Sequence, residues 1–362
     1  MDLRAEILAT DVICAEEGRY LGWPTICRRA NGELLVVFSG DRDEHVCPYG
    51  VTQIIRSADD GRTWSAPRTI TDTPLDDRDA GIIETARGTL VVSWFTSVAY
   101  IEMDAMVRAW YGGERVDSWA DEAAKVTPAL REQWLGSWMR RSTDGGATWG
   151  EPTRVIGNAP HGPIQLADGR LLLVGKVLCS RNGPVVVEAS SDDGLTWTQI
   201  GEIPIPEALR SVDGVPATIA EPHVVEAANG SLLAMIRYQP PNEAEHIMLQ
   251  SRSRDGGVSW VTARSSGIWG YPPHLLRLAN GWLLCSYGYR PDPYAERVCV
   301  SRDDGESWER PELEICRGIN HDLGYPATTQ LPDGTLITVY YQCRREGEPT
   351  VLMATWWRMV SD

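Results

Sequence analysis

The chain has 362 residues, 43% of them hydrophobic, with 50 Asp and Glu against 34 Lys and Arg for a formal net charge of −16. That excess of negative charge argues against nucleic acid or an anionic membrane surface as a partner, so an acidic ligand has to be gripped by locally placed arginines. The opening MDLRAEILATDV holds no long apolar run and no cleavage-site pattern, so neither leader nor membrane span is expected, and a cytoplasmic location is.

Residues 3–14 (LRAEILATDVIC) read as a strand. After them a turn followed by an apolar run recurs six times, at Asn31-Gly32, Arg87-Gly88, Asp168-Gly169, Asn229-Gly230, Asn280-Gly281 and Asp333-Gly334. Asn-Gly and Asp-Gly favour two-residue hairpins, because both turn positions need positive φ. A second motif alternates with the first. Ser57–Trp64, Ser142–Trp149, Ser190–Trp197, Ser253–Trp260 and Ser301–Trp308 all obey Ser-x-Asp-x-Gly-x-(Thr/Ser)-Trp. Its Asp bonds amides ahead of it, Gly allows the turn, and Trp packs, so each copy predicts a stapled turn between strands.

Hairpins and boxes in alternation predict an all-β fold, a six-bladed β-propeller of four-stranded blades spanning 1–362 as one domain. The last blade lacks a box. The N-terminal strand is expected to complete it and close the ring, which removes open edges. The longest interval between turn glycines, Gly88 to Gly169, contains an insertion in the second blade, residues 97–137, rich in Ala, Glu and Trp. It predicts one or two helices over the rim, as a surface excursion or an active-site lid. The eight cysteines (Cys14, Cys27, Cys47, Cys179, Cys285, Cys299, Cys316, Cys343) show no C-x-x-C and no metal-type spacing, so reduced thiols and no cofactor are expected.

Register carries the reading from fold to site. Each inner strand ends at its turn glycine, so its start lies on the opposite face, near the axis. Nine residues before each glycine stand Trp23, Asp79, Pro160, Glu221, Pro272 and Tyr325. One and two residues further on stand His161, His223 and His274, while Arg42, Lys176, Arg237, Arg290 and Gln342 end second strands. Titratable groups converging on one ring entrance mark a polar binding site. The three histidines come from separate blades, and no metal is expected on them.

The boxes, the blades and Gly324-Tyr325-Pro326 ahead of an Asp-Gly hairpin resemble the sialidase (neuraminidase) superfamily over nearly the whole chain. The resemblance implies Glu221 and Tyr325 as the catalytic pair, Arg237 as a carboxylate-binding arginine, and Arg290 or Arg297 as another. Where the family opens its first blade with an arginine, this chain has Gly22, and where the family has its acid/base Asp, His45 falls closest. The activity implied is retaining, exo-acting hydrolysis of a glycoside, with an acidic sugar as partner. Tyr325 attacks the anomeric carbon, Glu221 takes its proton, and His45 or Asp79 protonates the leaving oxygen. Trp23 offers a stacking face, and Arg42, Arg78, His161, His223, His274 and Asp322 are further binding candidates. Two rivals share the residues: a lyase on uronate-containing glycans, and a carbohydrate-binding propeller without catalysis. The sequence sets no oligomeric state.

Overall fold

The computed structural model describes residues 3–178 and 182–361, so Cys179 lies outside the described residues. Six antiparallel blades follow one another round a ring, five as four-stranded sheets and the third with its inner strand split in two. From axis to rim, blade one is Tyr20–Arg28, Leu34–Arg42, Val51–Ser57 and Arg68–Thr71. Blade two is Asp76–Glu84, Leu90–Ser97, Ser137–Ser142 and Thr153–Val155, and blade four is Thr218–Glu226, Leu232–Gln239, Ile247–Ser253 and Arg264–Trp269. Blade five runs Tyr271–Arg277, Leu283–Tyr289, Ala295–Ser301 and Leu313–Arg317. Blade six is Gly324–Gln330, Leu336–Cys343, Thr350–Ser361 and, as its outer strand, Leu3–Cys14, paired from Leu3 opposite Ser361 to Cys14 opposite Leu352. The ring is therefore closed by the two ends of the chain, as the missing box predicted.

Blade three departs from the repeat. Its inner strand is two fragments, Gly157–Asn158 and Ile164–Gln165, both paired to Leu171–Val177. Pro160 and Pro163 supply no amide to a ladder, and Gly162 has φ 75°, so the strand breaks between them. The inner strand of blade two presses backbone to backbone on this break: a Cβ built on Gly81 would collide with the Gly162 amide.

Each box is a closed hydrogen-bond circuit. Ser57 Oγ donates to Asp59 at 2.8 Å and accepts from the Gly61 amide at 2.9 Å, while Asp59 accepts from the amide and hydroxyl of Thr63. The other four repeat it, and those bonds hold the carboxyls of Asp59, Asp192 and Asp255 down at about 2. Between boxes, apolar faces of adjacent blades interdigitate. Leu35, Val37 and Ile54 of blade one meet Ala80, Ile82, Leu90 and Val92 of blade two, all essentially sealed from water. Burying such a side chain stabilises by roughly 1.5–3 kcal/mol, and the ring repeats this seam between blades.

The insertion forms five short helices where one or two were expected: Ala99–Glu102, Asp104–Tyr111, Gly113–Asp117, Ala120–Lys125 and Pro128–Trp134. Gly112 at φ 84° breaks the run, and Thr127 starts the last helix by accepting from the Leu130 amide at 3.2 Å, with Pro128 in its first turn. The insertion joins the second and third strands of blade two, so it emerges on the face away from the boxes. There Tyr100, Val107, Val116 and Trp119 enclose Val46 and Cys47 of blade one. Trp119 Nε1 donates to Asp43 at 3.0 Å, and the Val46 amide donates to Tyr111 Oη at 3.2 Å. The helices thus clamp the loop that carries His45. No helix among the described residues is long and apolar enough to cross a membrane.

Candidate active site

Four of the six residues at the inner-strand entrances have left-handed backbones: Trp23 (φ 55°), Asp79 (47°), Glu221 (49°) and Tyr325 (53°). The other two are Pro160 and Pro272, whose rings forbid that region. The ladder slips at the same place in five blades, between Gly22 and Thr25, Arg78 and Gly81, Ala220 and His223, Tyr271 and His274, and Gly324 and Ala327. These are bulges, and a bulge re-aims the side chain it carries. A non-glycine residue there costs about 1–3 kcal/mol, so four at one register amount to strain held at the hub by the surrounding sheets.

Blades four and six meet through those side chains. Tyr325 Oη donates to Glu221 Oε1 at 2.7 Å. Arg237 Nη1 donates to Glu221 Oε2 at 2.6 Å and lies 3.4 Å from Tyr325 Oη. Arg237 pairs across the sheet with Ala220, and so stands beside the turned-in Glu221. Burial pushes the Tyr325 phenol well above its ordinary range, with the Glu221 charge adding and Arg237 opposing. The phenol is protonated at rest, with a carboxylate in place to take its proton. Asp79 is 6% exposed. Burial pushes it up to about 7, Arg78 opposing and Glu221 adding, so it is a carboxylic acid close to neutrality.

A second group gathers on Asp322. Oδ1 accepts from Tyr341 Oη at 3.0 Å and Tyr20 Oη at 3.1 Å, and His45 Nδ1 lies 3.4 Å away and 2.8 Å from Tyr20 Oη. Burial alone would raise Asp322, but His45, Arg290 and Tyr341 outweigh it and hold it at about 2. Burial keeps His45 low against the pull of Asp322, so it is neutral near pH 7. With Tyr20 donating to the ionised Asp322, the proton of His45 belongs on Nδ1, facing Tyr20, and Nε2 is the basic nitrogen. Arg290 Nη2 donates to Tyr341 Oη at 3.3 Å, and its buried Nε has no partner among the described residues. Arg237 and Arg290 share Tyr271, with guanidinium carbons 4.1 and 5.2 Å from its ring centre. Together they offer charge-assisted donors to a carboxylate.

Other candidates take different places. Arg42 is sealed, donating to both oxygens of Asp76 at 2.6 and 3.1 Å and to the carbonyls of Glu44 and His45. Arg78 donates to the His45 carbonyl at 2.8 Å and to Asp76 at 3.2 Å. The contact with ligand expected of Arg42 is replaced by a hold on the His45 loop, and Arg78 shares that hold. Trp23 is 1% exposed, with Arg78 4.2 Å and Arg42 4.7 Å from its ring centre and His45 edge-on at 5.0 Å, so it packs and presents no open stacking face. Arg297 lies 3.5 Å over Tyr289, and of the two alternatives Arg290 is the one at the hub. His161, His223 and His274 do form one cluster, with ring centres 4.8–5.7 Å apart. His223 Nδ1 accepts from the Leu275 amide at 2.9 Å and His274 Nδ1 from the Thr328 amide at 3.3 Å. Burial keeps all three rings neutral at pH 7, so His223 and His274 carry their proton on Nε2. That tautomer donates to a hydroxyl or water and has no lone pair for a cation.

Tyr20, Tyr271 and Tyr341 were not among the expected site residues. Tyr341 had a legible signal: it pairs with Gly324, just before Tyr325, as Arg237 pairs with Ala220 before Glu221. Counting to Gln342 overshoots by one residue, and one residue in a strand changes the face.

A family profile described as "BNR repeat-like domain" matches residues 123–339, more than half of the chain. The xyloglucanase Xgh74A of Acetivibrio thermocellus is 26% identical over 227 residues, which are 56% of this chain and 25% of that protein, so the chain spans about a quarter of that relative's length. A Dyadobacter fermentans protein of unknown function superposes with a TM-score of 0.79 at 22% identity, covering 98% of this chain and 99% of that one. The NanB sialidase of Streptococcus pneumoniae gives 0.67 at 14%, covering 97% and 70%. The α-L-arabinanase of Penicillium chrysogenum gives 0.63 at 15%, covering 97% and 98%. These likenesses establish a shared propeller fold.

Proposed function

The chain belongs to the BNR repeat-like domain family, and on that premise we propose that it is a retaining, exo-acting glycoside hydrolase of an acidic sugar. One observation carries the reading: Tyr325 Oη is hydrogen-bonded to Glu221 at 2.7 Å with Arg237 beside both. As Tyr325 Oη bonds to the anomeric carbon, its proton passes to Glu221. Arg237 offsets the negative charge that leaves the carboxylate and develops on the phenol. Asp79, protonated near neutrality, gives its proton to the departing oxygen. Water then releases the sugar from Tyr325, with Asp79 as base and Glu221 returning the proton, and the two inversions retain the anomeric configuration.

The arginines favour a compact carboxylate over a nonulosonic acid held by three guanidiniums. Arg237 and Arg290 supply two, and the first-blade position is Gly22, where a Cβ would already meet Tyr20 Cε1 at 3.0 Å. A hexuronic acid fits that pair. The test is a panel of fluorinated, activated uronosides and sialosides, with mass spectrometry of the trapped enzyme. An adduct on the peptide carrying Tyr325, absent in Tyr325→Phe, is expected. Turnover without any adduct on that peptide would overturn the mechanism.

A second reading has its own observation. His45 Nε2 is a basic nitrogen whose tautomer is fixed by Tyr20 and Asp322, close to Arg290. Such a base beside a carboxylate-binding arginine suits proton abstraction next to a uronate carboxylate and elimination of the leaving oxygen. An unsaturated, ultraviolet-absorbing product dependent on His45 would select it over hydrolysis.

A further inference from the structure

We infer that the seam between blades four and five carries a second sugar subsite, built on Trp269, which takes the unit attached to the one held at the hub. The inference rests on the reading above for the hub and adds a length requirement to it. Trp269 ends the outer strand of blade four, and Tyr271 opens the inner strand of blade five two residues later, so both stand on the hub face. Tyr271 is the ring shared by Arg237 and Arg290. Trp269 lies 5.7 Å from it, and Tyr289, at the exit of the second strand of blade five, lies 5.0 Å further along. The three rings form one contiguous aromatic cluster, Trp269 tilted to the buried Tyr271 and edge-on to Tyr289, leading out from the catalytic mouth with Trp269 half-buried.

The cluster is fixed in place. Trp269 Nε1 donates to the Glu243 carbonyl at 2.9 Å, and His246 packs nearly parallel to the indole at 6.0 Å. An indole whose N–H is already satisfied and whose orientation is set offers an apolar plane to whatever lies against it. Pyranose rings present C–H faces to such planes, and a rigid aromatic binds them at little conformational cost. The charge beyond the rings selects among sugars. Arg297 lies 3.5 Å over Tyr289 and makes no ion pair among the described residues, so an acidic second unit finds a guanidinium there. The arginine that the hub does not use thus has a place one sugar further out.

The experiment is calorimetric titration of Tyr325→Phe with uronic acid monosaccharide and with a uronate-containing disaccharide, repeated with Trp269→Ala and Trp269→Phe added. In the Trp269-intact protein the disaccharide is expected to bind about tenfold tighter than the monosaccharide, the scale of one good aromatic contact. Trp269→Ala is expected to erase that gain, and Trp269→Phe, which keeps a smaller plane, to restore part of it. A gain that survives Trp269→Ala overturns the subsite, as does the absence of any gain with Trp269 intact. The hub reading fails separately: if the wild type binds the disaccharide through Trp269 but does not cleave it, the subsite stands and the catalytic assignment falls.

Discussion

Replacing Arg42 by leucine tests how the His45 loop is held. The guanidinium is fully buried, donates to both carboxylate oxygens of Asp76, and reaches the carbonyls of Glu44 and His45 at 3.3 and 3.0 Å. Removing one member of a buried ion pair costs about 3–5 kcal/mol, because the other is left without a counter-charge. Asp76 keeps Arg78 at 3.2 Å, so Arg42→Leu belongs near the lower bound, about 3 kcal/mol. Asp76→Leu strands two guanidiniums and belongs near the upper bound, about 5 kcal/mol. At an unfolding entropy of about 2.1 cal/mol/K per residue, the two variants lower the melting temperature by roughly 4 and 7 °C. A third variant, Gly50→Ala, breaks the pair while leaving both charges in place, because its Cβ collides with Arg42 Nη1 and Asp76 Oδ1. Differential scanning calorimetry reads all three. A cost under about 1 kcal/mol for Arg42→Leu, the range of surface pairs, or a smaller cost for Asp76→Leu than for Arg42→Leu, would refute the burial argument.

Tyr325→Phe keeps the ring and loses the proposed nucleophile, so kcat is expected to fall on the order of 10⁴-fold or more while calorimetric affinity for the acidic sugar changes little. The proposed acid, Asp79, works in its protonated form, so the rate is expected to decline as pH rises through about 7; Asp79→Asn is expected to lower the rate roughly 10²–10⁴-fold and to abolish that limb of the pH profile. Asp79 has a raised value in the fold, so between about 4 and 7 the native state holds a proton that the unfolded chain has lost. Stability therefore falls as pH rises across that window, and denaturant titrations should find the slope reduced in Asp79→Asn. Gly81→Ala drives a methyl into the backbone of blade three, where no side chain can yield, and is expected to destabilise by more than about 3 kcal/mol or to prevent folding, as read by urea unfolding.

The repeat was legible because it is written in turn chemistry. Glycine and Asx residues report the backbone directly, and each box is a local circuit needing no distant partner. Residues at the inner-strand entrances were legible for the same reason: counting back from a turn glycine works wherever the bulge recurs, and it recurs in five blades. Strand-two exits read less well. Arg237 faces Glu221, but Tyr341 rather than Gln342 faces Asp322, since second strands leave the sheet at different lengths. What an arginine does once at the hub was not legible at all. Arg42 ends one second strand and Arg237 stands two residues from the end of another, and only the partner separates them, the buried Asp76 for Arg42 and the hub's Glu221 for Arg237. Tyr20, in a stretch with no repeat partner, left no mark to count from.

The pairing of Leu3–Cys14 with Thr350–Ser361 has a consequence for how the molecule is made. During synthesis residues 3–14 have no neighbour until residues 350–361 follow them. Five blades can assemble on the way, but residues 3–14 wait as a bare ribbon edge, and contacts of that sequence separation are the slowest to form. A chain that stops between Cys343 and Thr350 would therefore keep only the two inner strands of blade six and leave residues 3–14 unpaired, a species with open sheet edges suited to capture by chaperones or by its own kind.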